Sequence, residues 1–95
     1  MRSKAEANVA RWFKFLGIEY IYEPQRFKLA TTTYLPDFYL PKINLYIEVK
    51  TFHMWKDSLK KADEFAKLGH KIMIIETKRY RVIEKYYKPY ISHWE

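Results

Sequence analysis

Asp37 and Glu48 are carboxylates with ten residues between them, and Lys50 follows Glu48 after one apolar position. In an extended strand successive side chains alternate faces. Asn44, Tyr46, Glu48 and Lys50 therefore share one face, and Leu45, Ile47 and Val49 the other. Burying the apolar face leaves an acid and a base side by side. A lone Glu-x-Lys is ordinarily a solvated ion pair on a surface strand. Here Pro36-Asp37 precedes it at hairpin spacing, so two carboxylates can converge on a divalent cation with a lysine beside them. Such a hard-ligand set suits attack on a phosphodiester.

Glu6 is a third carboxylate of interest. It lies on the inward stripe of a helix expected from Ser3 to Leu16, in which Glu6, Val9, Ala10, Phe13 and Leu16 recur at helical spacing. Ser3 is the expected N-cap, Glu6 completes a capping box, and Gly17 is the C-terminal stop. The capping role explains Glu6 without any chemistry. A carboxylate tied to the Ser3 amide could not ligate a metal in the same conformation.

The remaining elements must hold these groups in place. Ile18 to Glu23 reads as a short strand ended by Pro24, and the polar Thr31-Thr32-Thr33 run lies in or beside a turn. Strands are expected from Tyr34 to Leu40 and from Leu45 to Lys50, joined as a hairpin through Pro41 to Asn44. A second helix is expected from Trp55 to Leu68, with Trp55, Leu59, Ala62, Phe65 and Ala66 on one side and Lys56, Lys60 and Lys67 on another. Gly69 ends it. The unbroken apolar run Ile72-Met73-Ile74-Ile75, within Lys71 to Thr77, suggests a strand covered on both faces. A last helix is expected from Arg79 to Tyr87. The order α-β-β-β-α-β plus a C-terminal helix implies an α/β (α+β) domain with a mixed sheet flanked by helices.

The 95 residues form one domain, residues 1–95, with 48% apolar and 19% aromatic content. There is no cysteine, which excludes disulfides, thiolate metal sites and a cysteine nucleophile. Glycine occurs only at positions 17 and 69, so there is no phosphate-cradling glycine loop. The apolar runs are too short to span a bilayer, and the charged, amphipathic start is unlike a secretory signal. An intracellular chain with no membrane partner is expected.

The formal charge is +7, and from Lys50 onward there are eleven basic and six acidic residues, against seven and five before it. Such a surplus points to a polyanion, nucleic acid before an anionic membrane surface. The expected DNA contacts are Lys56, Lys60 and Lys67 on the second helix and Lys78, Arg79 and Arg81 near the last. In KRYRVIEKYYKPY, Tyr80, Tyr86, Tyr87 and Tyr90 could stack on unpaired bases. They could equally be core or dimer contacts, because Tyr80, Ile83 and Tyr87 follow helical spacing. His53 is a lone histidine without a matching ligand spacing.

RSKAE, GIEYIYE, YLPDFYLP and YIEVKT, in that order, resemble the PD-(D/E)xK nuclease superfamily, and in detail phage-type endonuclease I, a family of Holliday-junction resolvases. The likeness runs from Arg2 to about Thr51; beyond it, the lysine-rich second helix and the aromatic-basic segment depart from the resolvase pattern. The resemblance implies a restriction-endonuclease-like core and Mg2+- or Mn2+-dependent hydrolysis of DNA, selective for branched DNA such as a Holliday junction, inside a prokaryotic or virus-infected cell. It implies Asp37 and Glu48 as metal ligands with the Val49 carbonyl, Lys50 orienting or deprotonating the attacking water, and Glu6 as an additional metal contact. A homodimer is expected on symmetry grounds, since cutting two strands symmetrically takes two sites related by a two-fold axis.

Overall fold

The computed structural model describes residues 1–51 and 56–95, and of residues 56–58 the backbone alone. Trp55 and His53, and the Lys56 side chain, lie outside the described residues. Helix α1 spans Lys4–Leu16. The Ser3 hydroxyl accepts the Glu6 N–H at 3.0 Å, which satisfies one of the amides that a helix N-terminus leaves unpaired. At the other end Gly17 adopts φ 73°, and the Ile18 N–H reaches back to the Phe13 carbonyl at 2.8 Å. Glycine takes that left-handed turn without strain.

The main sheet contains β1 (Ile21–Tyr22), β4 (Phe38–Leu40), β5 (Leu45–Lys50) and β6 (Ile72–Glu76), in the order β1-β4-β5-β6. The hairpin forms where expected: a 3-10 turn over Pro41–Ile43 and a left-handed Asn44 at φ 50° join β4 to β5. Its register sets Phe38 opposite Ile47 and Leu40 opposite Leu45. Strand β6 runs parallel to β5, with Glu48 beside Ile74 and Val49 beside Ile75. A parallel neighbour requires a crossover, and helix α2 (Lys56–Lys67) lies within it. Helix α3 (Thr77–Tyr87) follows β6 directly. The molecule is thus α+β, with a mixed sheet flanked by helices.

A second sheet departs from expectation. β2 (Phe27–Lys28) and β3 (Thr33–Tyr34) form a separate antiparallel hairpin, so the strand expected from Tyr34 to Leu40 is divided at Leu35-Pro36-Asp37. Proline has no N–H for a ladder. Tyr34 pairs with Phe27 on one side of the break, while Phe38 pairs with Tyr22 and Ile47 on the other. The strand expected from Ile18 to Glu23 contracts to two residues.

Each face of the sheet has its own core. On one, Val9, Ala10 and Phe13 of α1 and Tyr80 and Ile83 of α3 cover Phe38, Ile47, Val49 and Ile75. Phe13 meets Phe38 edge-on at 5.3 Å between ring centres. On the other, Phe65 of α2 is fully buried with Leu29 and Tyr34, against Phe27, Tyr46 and Ile72. Strand β6 is not enclosed as its sequence suggests: it is the outer strand, and Met73 is 42% exposed. The Tyr46 N–H donates to the Lys71 carbonyl at 2.9 Å, so alternate residues Ile72, Ile74 and Glu76 direct their backbone groups away from β5. There Arg79 Nη1 donates to the Ile74 carbonyl at 3.0 Å.

Candidate functional site

Asp37 follows the proline that ends the second hairpin, and the Glu23 N–H holds its backbone carbonyl at 2.8 Å. Its side chain turns to the neighbouring strand, where Oδ2 accepts the Val49 N–H at 2.7 Å. The break at Pro36 therefore replaces a ladder bond with a carboxylate bond, and this fixes Asp37 beside the end of β5. Glu48 projects to the α2 side, where the Tyr34 hydroxyl donates to Oε1 at 2.7 Å. Tyr34 in turn packs on Phe65, 5.2 Å between ring centres. The unexpected hairpin thus supplies the residue that orients Glu48.

Asp37 and Glu48 are 4% and 5% exposed, yet both border one recess of about 310 Å³ with Glu6, Val49 and Lys50. Burying charge is costly without paired partners. Burial first, and then the Glu48 charge, push the Asp37 carboxyl up to about 7. Burial also raises Glu48, against the lowering effects of the Tyr34 hydroxyl and the Lys50 ammonium. The Tyr34 phenol is pushed upward by burial and by Glu48, which keeps it a donor.

Each carboxylate has one oxygen held by a neutral donor and one near a cation. Glu48 Oε2 lies 3.7 Å from Lys50 Nζ, so the acid and base sit side by side as the alternation requires. Asp37 Oδ1 lies 3.5 Å from the Arg2 guanidinium. Glu6, 7% exposed, gives only half of the expected capping box. Its amide binds Ser3, but its Oε2 accepts the Tyr22 hydroxyl at 2.8 Å. That carboxylate therefore borders the recess instead of closing on the Ser3 amide. Among the described residues no group of three or more His, Cys, Asp or Glu side chains forms a ready-made metal cage. Glu6, Asp37 and Glu48 are the carboxylates that border the recess.

The cations around the recess are Arg2, Arg26, Lys50 and Lys61. Of these, only Lys50 stands out as a site residue in the sequence. Arg2 lies in the capping segment, Arg26 beside the undetected hairpin, and Lys61 one position from Lys60 on α2. Nothing in helical spacing favours Lys61 over its neighbour until the β2-β3 hairpin fixes which side of α2 faces the carboxylates. Lys60 and Lys67 are exposed, and Lys67 pairs with Asp63 at 3.0 Å. Lys78 and Arg79 border an apolar groove of about 780 Å³ that includes Trp12, Ile47 and Val82, while Arg81 is exposed on α3. The aromatic-basic segment divides: Tyr80 is buried and Tyr87 packs on Trp12 and Phe15, whereas Tyr86 and Tyr90 are 61% and 72% exposed.

The chain matches no family model, and no curated protein is significantly similar to it. Among the described residues no helix is long and apolar enough to cross a membrane.

Proposed function

We propose that the protein is a metal-dependent DNA endonuclease of the restriction-endonuclease-like type, selective for branched DNA such as a Holliday junction. The observation carrying this reading is the pair of buried carboxylates at one recess, each with one oxygen anchored, and with Lys50 3.7 Å from Glu48. Two carboxylates buried this deeply weaken a fold unless a cation shares them, and cations surround the opening. The element order, a helix on a meander of antiparallel strands followed by a crossover to a parallel strand, agrees with that architecture.

Asp37 and Glu48, with the Val49 carbonyl, are hard oxygen donors suited to Mg2+ or Mn2+. Two carboxylates suffice, because Mg2+ usually keeps several waters and takes the rest of its ligands from phosphate. Glu6 would contact the ion or one of its waters. The bound metal supplies polarisation of the phosphoryl oxygens and a water of lowered pKa. The Val49 amide and the Tyr34 hydroxyl keep the two carboxylates from rotating. Lys50 places positive charge where the water attacks and negative charge accumulates. Arg26 and Lys61, which border the same recess, would offer cations to the DNA phosphates. A homodimer related by a two-fold axis would present two such sites to two strands.

The test compares wild type with Glu48→Gln and Lys50→Ala on labelled junction, flap, duplex and single-stranded DNA of one sequence, with and without Mg2+. Both substitutions should lower cleavage about 10²-fold or more while retaining DNA binding. Mg2+-dependent cleavage that survives either change would refute the assignment. Retardation of DNA with no nicking by wild type would favour a basic binding module without catalysis.

A further inference from the structure

We propose that Arg2 is a displaceable counter-cation that holds the place of the divalent ion at Asp37 and must swing away before the ion binds. This rests on the metal-site reading above. The Arg2 guanidinium approaches Asp37 Oδ1 at 3.5 Å, which is the oxygen left free by the Val49 amide. A divalent ion bound by Asp37 would need that same oxygen or its immediate surroundings, so the two cations compete.

The geometry makes one partner fixed and the other movable. The Asp37 side chain is 6% exposed and the Arg2 side chain 62%. The same nitrogen of Arg2 lies closer to Glu23 Oε2, at 2.9 Å, than to Asp37. Glu23 is itself held beside the site, since its N–H binds the Asp37 carbonyl at 2.8 Å. The Arg2 N–H also donates to the Tyr22 hydroxyl at 3.3 Å, which fixes the backbone from which the side chain pivots. Releasing Asp37 therefore leaves the guanidinium paired with Glu23, so displacement costs little. Lys50 has no such second carboxylate among the described ion pairs, so it stays with Glu48 as a part of the site.

The experiment measures Mn2+ binding alone by isothermal titration calorimetry, without DNA, for wild type, Arg2→Gln, Arg2→Lys, Glu23→Gln, the double variant Arg2→Gln/Glu23→Gln and Asp37→Asn. Removing a like charge a few ångströms from a divalent ion should tighten binding roughly tenfold in Arg2→Gln, and Arg2→Lys should stay near wild type. Glu23→Gln should weaken binding in the wild-type background and have little effect once Arg2 is gone. If Arg2→Gln binds Mn2+ no more tightly than wild type, or Glu23→Gln acts equally in both backgrounds, the counter-cation idea is overturned while the metal site stands. If neither wild type nor Arg2→Gln binds Mn2+, or Asp37→Asn binds as wild type does, the metal site fails and this inference with it. Circular dichroism of each variant confirms that the comparison is between folded proteins.

Discussion

A carboxylate anchored through one oxygen by a neutral donor keeps its direction and leaves its second oxygen to a cation. Asp37 and Glu48 are both of this kind, through the Val49 amide and the Tyr34 hydroxyl. Their burial has a consequence for stability in the absence of a divalent ion. The Asp37 carboxyl, near the usual value of about 3.9 in an unfolded chain, stands at about 7 in the folded one. The folded state therefore binds its proton more tightly. The stability this contributes is complete below about pH 4 and is lost as pH rises through about 7. In EDTA, urea unfolding should show a fall of a few kcal/mol between pH 4.5 and 7.5, at about 1.4 kcal/mol per unit. Asp37→Asn should flatten that profile, and Mn2+ should restore wild-type stability at the upper end. A wild-type profile as flat as that of Asp37→Asn would show that Asp37 titrates normally.

Among the elements, α1, the β4-β5 hairpin and α3 were legible because each rests on a local rule: a serine cap and a glycine stop, a proline turn with a left-handed Asn44, and apolar spacing. The β2-β3 hairpin was not. Its strands are two residues each, and Phe27, Leu29 and Tyr34 show no run of alternation long enough to separate a strand from a loop. What holds them is Phe65 on α2, 31 positions beyond Tyr34 in the chain. Sequence spacing on α2 marks Phe65 as inward without saying what it meets. The same gap hid Arg26 and Lys61, while Asp37, Glu48 and Lys50 were legible because strand alternation and hairpin register are short-range. If α2 and the second hairpin depend on that ring, Phe65→Ala should cost about 3–5 kcal/mol, measured by chemical denaturation. It should also loosen Tyr34 from Glu48, visible as faster hydrogen exchange over residues 27–34. A loss below about 1 kcal/mol would mean that the second core is not held by this residue.

At the scale of the whole molecule, the carboxylate recess and the apolar groove between α1, α3 and the sheet share no lining residue. The groove exposes Ile43 and Val82, at 61% and 52%, and the buried Trp12 indole nitrogen at its edge has no hydrogen-bond partner among the described residues. Burying the exposed apolar surface favours association there. Multi-angle light scattering of the DNA-free protein at micromolar concentration should give a mass near twice the chain's 11.7 kDa. A mass of one chain under the conditions in which DNA is cut would exclude the homodimer as the cutting species.

The guanidinium of Arg79 lying on the Ile74 carbonyl has a further meaning for how many copies can coexist in solution. An uncovered margin of isoleucine and methionine, with alternate backbone groups turned outward, would be a template on which another chain can lay itself down. One arginine, brought over that margin because α3 begins immediately after it, spoils the template while the native sheet keeps every bond it has. Arg79→Ala should therefore leave the melting curve nearly unchanged yet raise turbidity and thioflavin fluorescence on prolonged incubation. Equal clarity of the two proteins would show that the margin is defended by something else.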